Sequence, residues 1–320
     1  MTAGQGGPAY RALELYAIAP TLYGAGGRTV DVGAMAACAE RMVGHGIRDF
    51  LLTGSYGEFQ SLTDDERVHV LRAVRAVNGV RAVMACAAQP ATAATAELAA
   101  RLLGEGADEV MVAAPFAAEV RRDEILRHFR QLSRQLPGGI VVYNNPAFGM
   151  DLPPADLAEI TSLPGIAAVK QGTASLPGLA ESISAVHARS GDEVRMLAAS
   201  DLTGVLGLLA GADGLTSTNC WAFPGAFRSL VGSAAAGDWE SARQVAAALD
   251  PYFAVVRRLG QPRTVKAAMQ ARGLPGTRNV RLPYRPLKAP ECALLRIALE
   301  ECDKALAQVG EIQQPEAKGG

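Results

Sequence analysis

The sequence predicts an α/β protein, a (β/α)8 TIM barrel followed by a C-terminal helical extension. Eight short apolar runs alternate with longer amphipathic stretches, and strands alternating with helices imply parallel pairing. The runs spread over roughly 230 residues, close to the ~250 typical of a barrel of this kind. Past Phe223 the strand-like runs stop and helical patterns take over. A six-stranded doubly wound sheet is the competing architecture. Against it, no G-x-G-x-x-G opens a helix after the first run, and Gly24-Ala25-Gly26-Gly27 has the wrong spacing.

Taken in order, residues 15–20 form the first apolar run, and a helix over 30–46 begins at Thr29 or Asp31 as its cap. The second strand, 47–53, closes on Gly54. Thr63-Asp64-Asp65-Glu66 is a capping-box sequence starting a helix that reaches about residue 78. Strands follow at 82–87, 109–114, 140–143, 166–170, 194–199 and 214–217, separated by helices around 91–105, 123–136, 154–162, 176–188 and 203–210. Two turns are alike: Gly104-Glu105-Gly106-Ala107-Asp108 and Ala210-Gly211-Ala212-Asp213-Gly214 each end a helix on glycine and enter a strand through an acidic residue. The extension reads as helices over 238–258, 264–272 and 290–308. Between the last two, Val280-Arg281-Leu282-Pro283-Tyr284-Arg285-Pro286-Leu287 is too proline-rich for a helix or central strand. The expected organisation is a disordered leader at 1–12, the barrel at 13–236, the extension at 237–310 and a disordered tail at 311–320.

Composition excludes several classes of function. The 320 residues are 49% hydrophobic and 20% charged with a net charge of −1, so no basic stripe offers itself to nucleic acid. No apolar run approaches a membrane span, and the start lacks a basic, apolar signal segment. Cys38, Cys86, Cys220, Cys292 and Cys302 are scattered, without a C-x-x-C pair; they signal neither zinc nor a disulfide framework and read as core thiols. His45, His69, His128 and His187 lack metal-ligand spacing and read as packing or surface residues. The expectation is a cytoplasmic protein with no metal site and no nucleic-acid or membrane partner.

Lys170 carries the chemical argument. It ends the apolar run Ile166-Ala167-Ala168-Val169-Lys170, where desolvation favours a neutral amine, the nucleophile that Schiff-base chemistry on a carbonyl needs. The preceding run, Ile140-Val141-Val142-Tyr143, ends on a phenol in the equivalent place. A lone strand-end lysine more often snorkels to solvent; paired with Tyr143 and a glycine turn, the reactive reading prevails. That turn, Gly54-Ser55-Tyr56-Gly57-Glu58, follows the second strand. Its glycines let backbone N–H groups face an anion, with the Ser55 hydroxyl beside them. By contrast, Lys266 and Lys288 sit in helix-like or extended polar sequence and are expected to stay protonated.

The order G-S-Y-G-E, then Tyr143-Asn144-Asn145-Pro146, then Val169-Lys170, then Gly211-Ala212-Asp213-Gly214-Leu215-Thr216-Ser217 resembles the dihydrodipicolinate synthase / N-acetylneuraminate lyase family of pyruvate-type class I aldolases. The resemblance runs from Tyr16-Ala17-Ile18-Ala19-Pro20-Thr21 to Arg281-Leu282-Pro283-Tyr284-Arg285-Pro286. It implies Lys170 as the covalent imine-forming residue in place of any cofactor, and Tyr143 as proton shuttle. It also implies Ser55 and Tyr56 on the 2-oxo-acid carboxylate, Thr216 lining the pocket, and a homotetramer or dimer.

Departures from the family pattern narrow the branch. The synthases carry two tyrosines after the fourth strand's proline, and an arginine after the Y-N-x-P turn. Here the sequence reads Pro115-Phe116-Ala117 and Ala147-Phe148-Gly149, which argues against lysine biosynthesis. Tyr56 and Asn145 fit the hydratase-aldolase branch, where an aromatic or apolar aldehyde is the partner and the Asn145 amide is expected to hold the aldehyde oxygen or an attacking water. Phe148 and Trp221 are candidates for the pocket wall, with packing between barrel and extension the bland alternative for Trp221, and Glu58 reads as a structural acceptor at the turn. The alternatives are a sugar-acid lyase or dehydratase of the same superfamily, and a non-catalytic barrel that only binds a 2-oxo acid.

Overall fold

A computed structural model describes residues 12–146, 151–173, 175–199 and 204–313. The expected leader before residue 12, the tail beyond 313, Phe148 and the start of the helix expected at 203 lie outside the described residues.

Eight parallel strands close into a barrel: β1 (Glu14–Ile18), β2 (Asp49–Leu52), β3 (Ala82–Cys86), β4 (Glu109–Ala113), β5 (Ile140–Asn144), β6 (Ile166–Gln171), β7 (Arg195–Ala198) and β8 (Gly214–Ser217), with β8 pairing back onto β1. Between them run α1 (Val32–Gly44), α2 (Asp64–Arg75), α3 (Thr92–Gly104), α4 (Arg122–Gln135), α5 (Pro154–Thr161), α6 (Leu176–Ser190) and α7 (Gly204–Leu209); α8 (Pro224–Ala235) follows β8. Every expected strand is present. Of the two candidate caps for α1, Asp31 is the one used: its carboxylate accepts the Ala34 N–H at 2.9 Å. The capping box of α2 forms as its spacing requires, Glu66 N–H onto Thr63 Oγ1 at 3.2 Å and Thr63 N–H onto Glu66 Oε2 at 3.0 Å.

The repeated acidic turns also have a physical purpose. Asp108 accepts the N–H of Val83 at 2.8 Å, and Asp213 accepts the N–H of Met196 at 2.7 Å. Each carboxylate ties the base of the neighbouring strand to the turn ahead of its own, with Gly106 and Gly211 at φ +99° and +100° making the bend.

Strand alternation divides the core in two. Tyr16, Ile18, Leu51, Met84, Met111, Val141, Tyr143, Ala168 and Leu197 point into the barrel; Ala17, Phe50, Leu52, Val83, Val110, Val142 and Val169 point out to the helices. The N-terminal mouth is closed by ion pairs of Arg195 with Glu14 and Glu109, Glu109 also accepting the Tyr16 phenol at 3.2 Å. Polar chemistry is thus sealed at one end and left to the other.

Two differences from the sequence reading concern helices. No helix was expected between 218 and 236, yet α8 is there, burying Phe227, Leu230, Val231 and Ala234. That i, i+3, i+4, i+7 stripe was legible; Gly225 and Gly232 weakened the pattern. The single helix expected over 238–258 is two, α9 (Trp239–Ala248) and α10 (Asp250–Leu259). Pro251, lacking an N–H, ends one helix and sits in the first turn of the next. The extension continues with α11 (Arg263–Ala271) and α12 (Ala289–Gln313), the last running three residues into the stretch expected as tail.

Candidate active site

β5 and β6 are neighbours, and their register sets Tyr143 directly beside Lys170. Both side chains are buried, at 4% and 3% exposure, and Lys170 Nζ lies 3.9 Å from the centroid of the Tyr143 ring. Among the described residues no carboxylate forms an ion pair with Lys170. The strand end therefore does what the apolar run implied: it delivers an amine to the barrel mouth rather than to solvent. Gly172 allows the close approach of the next turn, because a Cβ there would meet Asn145 Cγ at 3.1 Å and Asn144 O at 3.2 Å.

The Tyr143 phenol reaches two of the residues expected around it. Its oxygen is 3.1 Å from Ser55 Oγ and accepts the Asn145 amide N–H at 2.5 Å. Ser55 comes from the far side of the barrel on a tight turn after β2. Glu58 N–H donates to Ser55 O at 3.1 Å and Phe59 N–H to Gly54 O at 3.3 Å. Gly57 is required by space: a Cβ would lie 2.8 Å from Thr53 Cα and 2.9 Å from Gly54 N. Thr53 and Glu58 bracket the turn in the left-handed region, φ +49° and +60°, at a cost on the order of 1–3 kcal/mol each. A further tie, Thr21 Oγ1 to Gly57 O at 2.6 Å, holds it to the end of β1.

The other expected site residues fall into place unequally. Tyr56 stands on the rim, 39% exposed. Thr216 is buried on β8 in register with the inward-facing Tyr16, its hydroxyl without a hydrogen-bond partner among the described residues. Asn145, expected on the substrate, has its amide turned onto Tyr143. Trp221 is not on this pocket wall: its indole N–H donates to Ile18 O at 2.8 Å and its ring packs on the outward-facing Phe50. The packing alternative is the one realised. Phe116, where the sequence lacks a tyrosine, lies edge-on to Phe59 at 6.3 Å.

Lys266 corrects an expectation. It is 1% exposed rather than in polar surroundings, and pairs with the fully buried Glu58. Burial pulls its ammonium down to about 8, against the opposing pull of Glu58. Two residues that sequence reasoning passed over are structural supports. Asn144 accepts Leu152 N–H at 2.9 Å and donates to Leu152 O at 3.0 Å and Asp151 at 3.1 Å, stapling the chain that returns after the Tyr143 loop. Arg281 donates to Glu66, Ser61 O and Arg28 O. Among the described residues no cluster of three or more His, Cys, Asp or Glu is placed to hold a metal ion, and no helix is long and apolar enough to cross a membrane.

Residues 21–301 match the dihydrodipicolinate synthetase family. The chain belongs to that family. A 4-hydroxy-tetrahydrodipicolinate synthase of Xanthomonas campestris is 31% identical over 263 residues, 82% of this chain and 85% of that one. A monomeric dihydrodipicolinate synthase variant superposes with a TM-score of 0.86 at 23% identity, covering 93% of this chain and 99% of that one. A prophage protein of the dihydrodipicolinic acid synthase family from E. coli K12, in complex with pyruvate, gives 0.85 at 24% identity, covering 91% and 98%. These superpositions establish the fold. Family membership makes the chain a carbon–carbon lyase of the pyruvate-aldolase type, a class that works through a lysine imine without metal or cofactor.

Proposed function

We propose that Lys170 is the imine-forming nucleophile of a hydratase-aldolase-type lyase, joining or splitting pyruvate, or a related 2-oxo acid, and an aromatic or apolar aldehyde. The observation that carries this reading is the Lys170–Tyr143 pair, with Ser55 and Asn145 both on the phenol. The Lys170 nitrogen adds through its lone pair to C2 of the 2-oxo acid, and the carbonyl oxygen takes a proton to become a hydroxyl as the nitrogen gives one up. That hydroxyl takes a second proton and leaves as water while the nitrogen lone pair closes the C=N bond. Loss of a C3 proton gives the enamine, whose C3 bonds to the aldehyde carbon as the aldehyde oxygen is protonated. Water then returns to release the product and free Lys170. Each proton moves to or from an oxygen near Lys170, where the Tyr143 phenol stands.

Asn145 and Ser55 fix the direction of that phenol. With the Asn145 N–H donating to it, the oxygen is held as an acceptor on one side, and Ser55 offers the route by which its own proton is passed or replaced. The 2-oxo-acid carboxylate is assigned to Ser55 and the backbone N–H groups of the glycine turn, with Tyr56 at the rim and Thr216 in the wall.

The second substrate is read from what the site's sequence supplies. Ala147-Phe148-Gly149 brings no cation after the Y-N-N-P turn, and Phe116 replaces a hydroxyl at the fourth strand. A buried, unpaired carboxylate on the aldehyde would be costly, whereas a ring can pack against Tyr56 and Phe116. Comparing kcat/KM for pyruvate with benzaldehyde, aspartate semialdehyde and N-acetylmannosamine tests the reading. Benzaldehyde is expected to be preferred; a clear preference for either polar acceptor overturns the aldehyde assignment and leaves the imine chemistry standing.

A further inference from the structure

The turn that presents Ser55 is held from behind by the C-terminal extension. Glu58, its last residue, is fully buried, and its carboxylate accepts both Lys266 Nζ and the backbone N–H of Arg281, the latter at 2.9 Å. Lys266, on α11, donates as well to Asn279 O at 2.9 Å and lies 4.4 Å from the centroid of the Tyr23 ring. The guanidinium carbon of Arg281 is 4.6 Å from the same ring, and its nitrogens reach Gly27 O, Ser61 O and Glu66. One stretch, 266–281, thus grips the connection from β2 to α2 at both ends.

A buried ion pair is a poor way to gain stability, since apolar residues of similar volume are often as good or better. What it supplies is a fixed geometry. Glu58 is linked to Ser55 by a backbone hydrogen bond of 3.1 Å, and Gly57 is jammed against Thr53 and Gly54. A shift of Glu58 is therefore passed to Ser55.

We propose that Lys266 is a positioning residue for the lyase reaction: by holding Glu58 it keeps Ser55 Oγ within hydrogen-bond reach of the Tyr143 phenol. This rests on the imine chemistry assigned above. Lys266 is held by Glu58, Asn279 O and the Tyr23 ring, so its effect on turnover runs through Glu58 and Ser55.

The experiment compares the full chain with Glu58→Gln, with Lys266→Met and with both together, each alone and in a Ser55→Ala background. The double change leaves no unpaired charge, and Glu58→Gln keeps an acceptor for the Arg281 N–H if the others do not fold. Measured well below the melting temperature, each variant is expected to lose roughly ten- to hundredfold in kcat/KM. In the Ser55→Ala background the further loss should be no more than roughly twofold. Full additivity, or wild-type kcat/KM in the folded variants, overturns the proposal. Hydrogen exchange over residues 54–58, measured without substrate, separates it from the functional reading. Faster exchange in the variants supports the positioning even if wild type forms no pyruvate adduct, and unchanged exchange refutes it.

Discussion

Tyr143→Phe removes one oxygen and leaves the ring. In the structure that oxygen meets Ser55 Oγ at 3.1 Å and Asn145 Nδ2 at 2.5 Å. Each hydrogen bond contributes about 0.5–1.5 kcal/mol net, so the stability loss is on the order of 1–3 kcal/mol. For a chain of this size that is a fall of a few degrees in Tm, with the fold intact because the ring keeps its place among Ala113, Val141 and Ala168. The rate effect is much larger. A positioned proton donor or acceptor contributes ~10²–10⁴ in rate, equivalent to about 3–5 kcal/mol of barrier. The assay is single-turnover condensation, run beside borohydride trapping with pyruvate. Turnover is expected to fall by that factor, while trapping still reaches Lys170, more slowly. A kcat within roughly threefold of wild type would place proton transfer elsewhere and refute the role given to the phenol.

Gly57→Ala drives a methyl to 2.8 Å from Thr53 Cα and 2.9 Å from Gly54 N, both backbone atoms that cannot rotate away. It is expected to cost on the order of 1–3 kcal/mol and most of the activity, read by Tm and kcat/KM; an active, stable variant contradicts the tight-turn account. Burial holds the His128 imidazole down to about 4, below its ordinary ~6.5. The unfolded chain binds a proton there first, so this contribution to stability is present above about 6.5 and is lost as pH falls toward 4. Denaturant unfolding at several pH values should therefore show a shallower acid loss in His128→Asn than in wild type. An unchanged slope would mean His128 is protonated in the folded state as easily as outside it. Thr216→Val tests whether the β8 hydroxyl touches substrate: KM for the 2-oxo acid is expected to rise with little change in Tm, and an unchanged KM removes Thr216 from the site.

The barrel was legible because its signals are local. Apolar runs of strand length, a capping box at Thr63 and Glu66, and glycine–aspartate turns each report on a few consecutive residues. Lys170 and Tyr143 were legible for the same reason, each ending such a run, and the barrel fold then places strand ends together. What sequence could not give is pairing across long separations. Lys266 and Glu58 are 208 residues apart, so a lysine in a helical pattern gave no sign of its buried carboxylate. Trp221 was ambiguous until Phe50 and Ile18 O came beside it. Asn145 follows the fifth strand directly in sequence, but which group its amide would face depended on the neighbouring phenol.

The most direct measurement is peptide mapping after borohydride reduction with pyruvate near neutral pH. Lys170 and Lys266 are both buried amines, but only Lys170 stands at the barrel mouth without a carboxylate partner among the described residues. The account predicts a single reduced adduct on Lys170, none on Lys266 or Lys288, and none in Lys170→Ala. An adduct of undiminished yield in Lys170→Ala, or one mapped to Lys266, would contradict it.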